Sequence, residues 1–89
     1  MKKLNLYLIY QYLNNGYDTY DSAVVAAESD GDARSIHPSG YDKWADDTWC
    51  KPDQVKVTII GKAEDNMKRG VICASFNAGW WLWTKNMNR

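Results

Sequence analysis

The chain has one histidine, two cysteines and two prolines among its 89 residues, and its formal net charge is zero. Each shortage closes off a kind of chemistry. One imidazole and two distant thiols, Cys50 and Cys73, cannot supply the roughly four ligands in close pairs that fold around a structural zinc ion. No apolar run reaches the ~18 residues that a membrane-spanning helix needs. Eleven basic residues against eleven acidic ones leave no excess to draw the chain nonspecifically to nucleic acid or to an anionic membrane. Neither G-x-x-x-x-G-K nor G-x-G-x-x-G occurs, so no phosphate cradle is written here. Asp30-Gly31-Asp32 opens like a calcium loop, but Arg34 stands at the third oxygen position and no bidentate Glu closes the loop. No metal and no cofactor are expected.

What is present fits one small folded domain spanning 1–89. Hydrophobic residues make up 45% and charged residues 25% of the chain, as in ordinary globular proteins, and separate cores normally need about 100 to 200 residues each. The neutral total hides an uneven distribution. From Asn14 to Asp53 nine acidic residues stand against three basic ones, a segment charge of −6, and the two ends carry the compensating +6. Solvated loops account for this, as does an acidic face made for a basic partner. Met1-Lys2-Lys3 followed by Leu4 to Leu13 superficially resembles a secretion signal, but Asn5 and Gln11 interrupt it and no A-x-A site follows. The expected compartment is the cytoplasm, with both thiols reduced.

The pattern predicts two strand pairs around one short helix, a ββαββ order in the α+β class. Leu4, Leu6, Leu8 and Tyr10 alternate with Asn5, Tyr7, Ile9 and Gln11, the period of a strand. Asn14-Asn15-Gly16 supplies turn chemistry before the Val-rich run Tyr20 to Ala27, so these two form a hairpin with an irregular tip. Ser29 caps a helix of about two turns in which Asp32 bonds back, Ala33 and Ile36 form the apolar face, and Pro38 stops the chain at His37. Gln54 to Ile60 is a strand ended by Gly61, Ala63 to Arg69 a polar turn, and Val71 to Phe76 the fourth strand of an antiparallel sheet. Cys73, inside that strand, reads as core.

Two segments stand out as functional. Pro38 to Asp53 holds both prolines, Trp44, Trp49 and a cluster of aspartates, a long loop pinned by aromatics. The tail 80–89 begins Trp80-Trp81-Leu82-Trp83, apolar on both faces if extended, and must be covered by the domain's own core, by a second copy or by another protein. Trp and Tyr anchor protein interfaces at low entropy cost. The contact residues expected are therefore Trp44, Asp46, Asp47 and Trp49 in the loop, then Trp81 and Trp83, with homo-oligomerisation through the tail. Two other readings stand beside this one: a single-stranded nucleic-acid binder using sheet tyrosines such as Tyr7, Tyr10 and Tyr20, and a small enzyme using His37 with Cys50.

Asn14 through Ala27, the Ile36-His37-Pro38 helix end, Val55-Lys56-Val57 with Ile60-Gly61, and Gly70 through Gly79 resemble small phage and prophage proteins of unassigned function, over most of residues 4 to 79. The Trp-rich tail departs from that pattern. The resemblance implies no catalytic activity. It implies an accessory product in the cytoplasm of a bacterial host, acting by binding and blocking a host protein.

Overall fold

The computed structural model describes residues 3–13, 16–41 and 48–77. It shows an α+β arrangement of one four-stranded antiparallel sheet and one short helix. The strands are β1 (Asn5–Tyr10), β2 (Thr19–Ala27), β3 (Lys56–Lys62) and β4 (Gly70–Asn77). Helix α1 (Asp30–Arg34) lies between β2 and β3 in the chain, and a single 3-10 turn, Pro52–Gln54, precedes β3. The order across the sheet is β3-β1-β2-β4.

β1 and β2 form the expected hairpin, with Tyr7 opposite Val25 and Ile9 opposite Ala23. Asp18 takes the left-handed conformation, φ 62°, where the chain turns into β2, a conformation that Asp tolerates better than most residues. The second expected pair does not form. β3 adds to β1 and β4 adds to β2, so the last two strands sit at opposite edges. The intervening polar segment is long enough to cross the end of the sheet and is held there. The Ala63 amide donates to the Leu4 carbonyl at 3.0 Å, and Arg69 forms a 2.7 Å ion pair with Asp32 of α1. Gly61 does not end β3 but lies within it, beside a register shift that leaves Leu6 opposite Gly61 and Tyr7 opposite Ile59.

The helix starts as its sequence demands. The Ser29 hydroxyl accepts from the Asp32 amide, while the Asp32 carboxylate accepts from the Glu28 amide at 2.9 Å. It is shorter than expected, because the Ser35 hydroxyl donates to the Asp32 carbonyl at 2.7 Å and closes the last turn. The residue before a proline also disfavours the helical region, which leaves His37 outside.

One sheet face carries the core. Tyr7, Ile9, Ala23, Val25 and Ala27 meet Ala33, Ile36, Trp49, Cys50 and Val55 in a single buried cluster. Helix α1 packs over β3, β2 and β1, so among the described residues β4 is left largely unroofed. That corrects the placement of Cys73, which is exposed rather than core. A register shift between Val24 and Val25 also puts Val71 opposite Val25 while Cys73 lies opposite Val24. Val71 therefore does not share a face with Cys73, as simple alternation predicts. Both cysteines are free.

Candidate functional site

The expected contact residues divide into two groups. Trp44, Asp46 and Asp47 of the loop, and Trp81 and Trp83 of the tail, lie outside the described residues. Trp49 is described and is 2% exposed, inside the core cluster. Its indole is thus an anchor rather than a contact surface, and full burial of such a ring contributes about 2 to 3 kcal/mol. It roots the long loop to the sheet.

The segments that carry the other contact residues share an origin. Thr48, the first described residue after the loop 42–47, accepts through its carbonyl from the Tyr20 amide at 3.0 Å and from Gln11 Nε2 at 3.0 Å. The same Gln11 Nε2 donates to the Tyr20 carbonyl at 2.8 Å. Asn77, the last residue of β4, accepts from the Asp18 amide at 2.5 Å, and its side-chain amide donates to the Gly16 carbonyl at 2.8 Å. Thr48 and Asn77 are therefore both fastened to the turn end of the β1–β2 hairpin. At this same end Tyr12 and Tyr17 are 70% and 76% exposed, beside exposed Leu13. Tyr10 stacks edge-on against Tyr12, with ring centroids 5.7 Å apart. Tyr41, just before the loop, is also exposed. The tip residues Tyr12, Leu13 and Tyr17 were missed as contacts by sequence reasoning. The signal was available: a turn needs no apolar side chains, yet three flank Asn14-Asn15-Gly16.

His37 and Cys50 do come close. With Arg34, Ser35, Ile36, Trp49 and Pro52 they line a cavity of about 10 Å³, room for one water at most. Burial pushes the Cys50 thiol up, the Asp53 carboxylate adds to the rise, and a backbone hydrogen bond opposes them. Such an environment disfavours the thiolate that nucleophilic chemistry uses. His37 Nδ1 accepts from the Ser39 amide at 3.1 Å, and the ring stands edge-on to Tyr20. This nitrogen serves an amide in the turn after Pro38.

Of the strand tyrosines, Tyr7 is buried and Tyr20 packs against the core cluster, which leaves Tyr10, opposite Lys56, on the other face. A platform of successive rings for unpaired bases is not assembled there. A larger open cleft of about 340 Å³ lies at the far end of the sheet, lined by residues including Lys3, Lys62, Glu64 and Asp65. Among the described residues no three His, Cys, Asp or Glu side chains gather to hold a metal ion, and no helix is long and apolar enough to cross a membrane.

No family model, no curated protein and no solved structure matches this chain. The likeness to phage proteins gains no support from these comparisons.

Proposed function

We propose that this chain is a non-enzymatic protein-binding module that contacts its partner through the turn end of the β1–β2 hairpin. The observation that carries the reading is convergence. Thr48 and Asn77, which adjoin in sequence the acidic loop with Trp44, Asp46 and Asp47 and the tail with Trp81 and Trp83, are tied to the end that already exposes Tyr12, Leu13 and Tyr17. Surplus aromatic area in an acidic setting suits a basic protein surface, the aromatics supplying affinity and the carboxylates steering the encounter. The ββαββ order with its Trp-containing loop belongs to this reading, as does self-association through the tail. On the phage resemblance, the module is an accessory product in the bacterial cytoplasm and its partner a host protein that it blocks.

The test is capture from bacterial lysate with the full chain and two surface variants. A partner that binds the parent, is lost on Tyr12→Ala with Tyr17→Ala, survives Lys62→Ala at the far end, and weakens with added salt supports the reading. Capture unaffected by the tip substitutions contradicts it.

A further inference from the structure

We infer that His37 is an acid-sensitive latch: its neutral imidazole holds the turn 37–40 closed against the segment 49–52, and protonation of the ring releases that turn. The inference stands on described residues and does not depend on the binding reading above.

The turn is built around the ring. Pro38 has no amide to offer, so the next donors after His37 are those of Ser39 and Gly40. The Gly40 amide donates to the His37 carbonyl at 2.9 Å and closes a β-turn. Gly40 itself takes φ 85°, which glycine adopts without strain. The Ser39 amide, inside the turn, donates to His37 Nδ1 at 3.1 Å. The ring nitrogen thus does what a side-chain oxygen of Asn or Asp does in an Asx-turn, accepting from the amide two residues on. The Ser39 hydroxyl in turn accepts from the Tyr41 amide at 3.3 Å, so three successive amides are satisfied by His37 and Ser39.

A nitrogen that accepts carries no proton. The bond requires the neutral ring with its hydrogen on Nε2, whereas an imidazolium is a donor at both nitrogens and would face the Ser39 N–H donor to donor. The setting opposes the charge as well. His37 is 4% exposed and shares a cavity lining with Arg34 of α1 and with Trp49, Cys50 and Pro52. The Arg34 guanidinium is held by the Val55 carbonyl, a fixed positive charge on that lining. Tyr20 of β2 meets the ring edge-on, 5.9 Å between centroids. The Cys50 thiol is neutral there, and the Asp53 carboxylate that acts on it is exposed to solvent. Burial and like charge both disfavour the imidazolium.

The stretches joined by the latch, 37–41 and 49–52, lie on either side of residues 42–47 in the chain. Histidine is the side chain whose charge ordinarily changes between about pH 5 and 8. Because the open turn takes the proton more readily than the closed one, the latch is complete above the ordinary imidazole pKa of about 6.5 and is lost as pH falls below it, each unit making opening about tenfold more frequent.

Nuclear magnetic resonance on the full chain tests this. At about pH 8 the ring nitrogens of His37 should report the Nε2–H tautomer. Protection of the Ser39 and Gly40 amides, referenced to intrinsic exchange, should fall by about tenfold per unit below about pH 6.5, while amides shared between β1 and β2 keep theirs. His37→Asn places a non-titrating acceptor where Nδ1 stands, and should keep Ser39 protected without a response to pH. An Nδ1–H tautomer overturns the inference, and so does Ser39 protection that stays constant on acidification. A fall of the same size in His37→Asn, or one shared by β1 and β2, also overturns it. Should His37→Asn fail to fold, the tautomer and the acid response of the parent chain decide.

Discussion

β3 and β4 occupy equivalent places at the two edges of one sheet, and they are defended differently. β3 carries Lys56 and Lys62 at its ends, is bent by the register shift beside Gly61, and is flanked by α1. The Arg34 guanidinium donates to the Val55 carbonyl just before it. β4 has no charge over its whole length and, among the described residues, lies away from α1, which packs on the other three strands; it too is bent, by register shifts against β2. A net charge of zero describes neither edge: what blocks or invites pairing is where the lysines fall along the strand.

The largest expected effect erases the comparison by unfolding the core on which the whole sheet rests. Ile36→Asp places a carboxylate in the core beside Ala33 and Trp49, at a cost of several kcal/mol, on the order of the whole stability of a small domain. Loss of the thermal unfolding transition is the expected result; an unchanged melting curve means the face is not buried.

Next in size is the anchor that brings loop and hairpin together at the turn end. Gln11→Ala removes the donor to the Tyr20 and Thr48 carbonyls, which should cost about 1 to 3 kcal/mol in chemical denaturation. It should weaken partner capture.

The two thiols sharpen the contrast between roofed and unroofed strands. An alkylating reagent should modify exposed Cys73 rapidly and buried Cys50 only on unfolding. Equal rates would contradict the burial assigned to Cys50. Because burial raises the Cys50 thiol, the folded state holds its proton more tightly than the unfolded chain does. Its contribution to stability is therefore complete below the unfolded thiol pKa of about 8.5, and is lost as pH rises through the folded value. Denaturation midpoints followed upward from pH 8 should fall, and the fall should be smaller in Cys50→Ala. The smallest effect belongs to the ion pair that holds the β3–β4 crossing. Arg69→Ala should cost under about 1 kcal/mol, since both partners are partly exposed.

Much of this fold is legible in the sequence where one local rule acts alone. Leu4 to Gln11 reads as a strand, Asn14-Asn15-Gly16 as a turn and Ser29 with Asp32 as a cap, and these emerge as a strand, a hairpin and a helix start, although the row of β1 that is buried is Tyr7, Ile9 and Gln11 rather than Leu4, Leu6, Leu8 and Tyr10. The strand order was not legible, because it depends on a polar segment crossing the sheet end by contacts such as Arg69 with Asp32 that are distant in the chain. Cys73 was misplaced for a related reason: apolar alternation shows which way a side chain points but not whether anything lies over it. At the candidate site the sequence marked the loop and tail by their tryptophans. It did not reveal that hydrogen bonds fasten Thr48 and Asn77 to the hairpin end, nor that Trp49 turns inward.

The difference between the edges is most directly measured by backbone amide exchange along both of them in the full chain. The Gln11 amide bonds to Asp21 of the β2 side, so β1 alternates to offer Leu8 and Tyr10 to β3, leaving Val57 and Ile59 with outward amides. The account predicts fast exchange at Val57, Ile59 and Ala74, the outward positions, beside slow exchange at Thr58, Cys73 and Ser75, which face the neighbouring strand. Slow exchange at Val57, Ile59 and Ala74 would show that the edges are covered and contradict it.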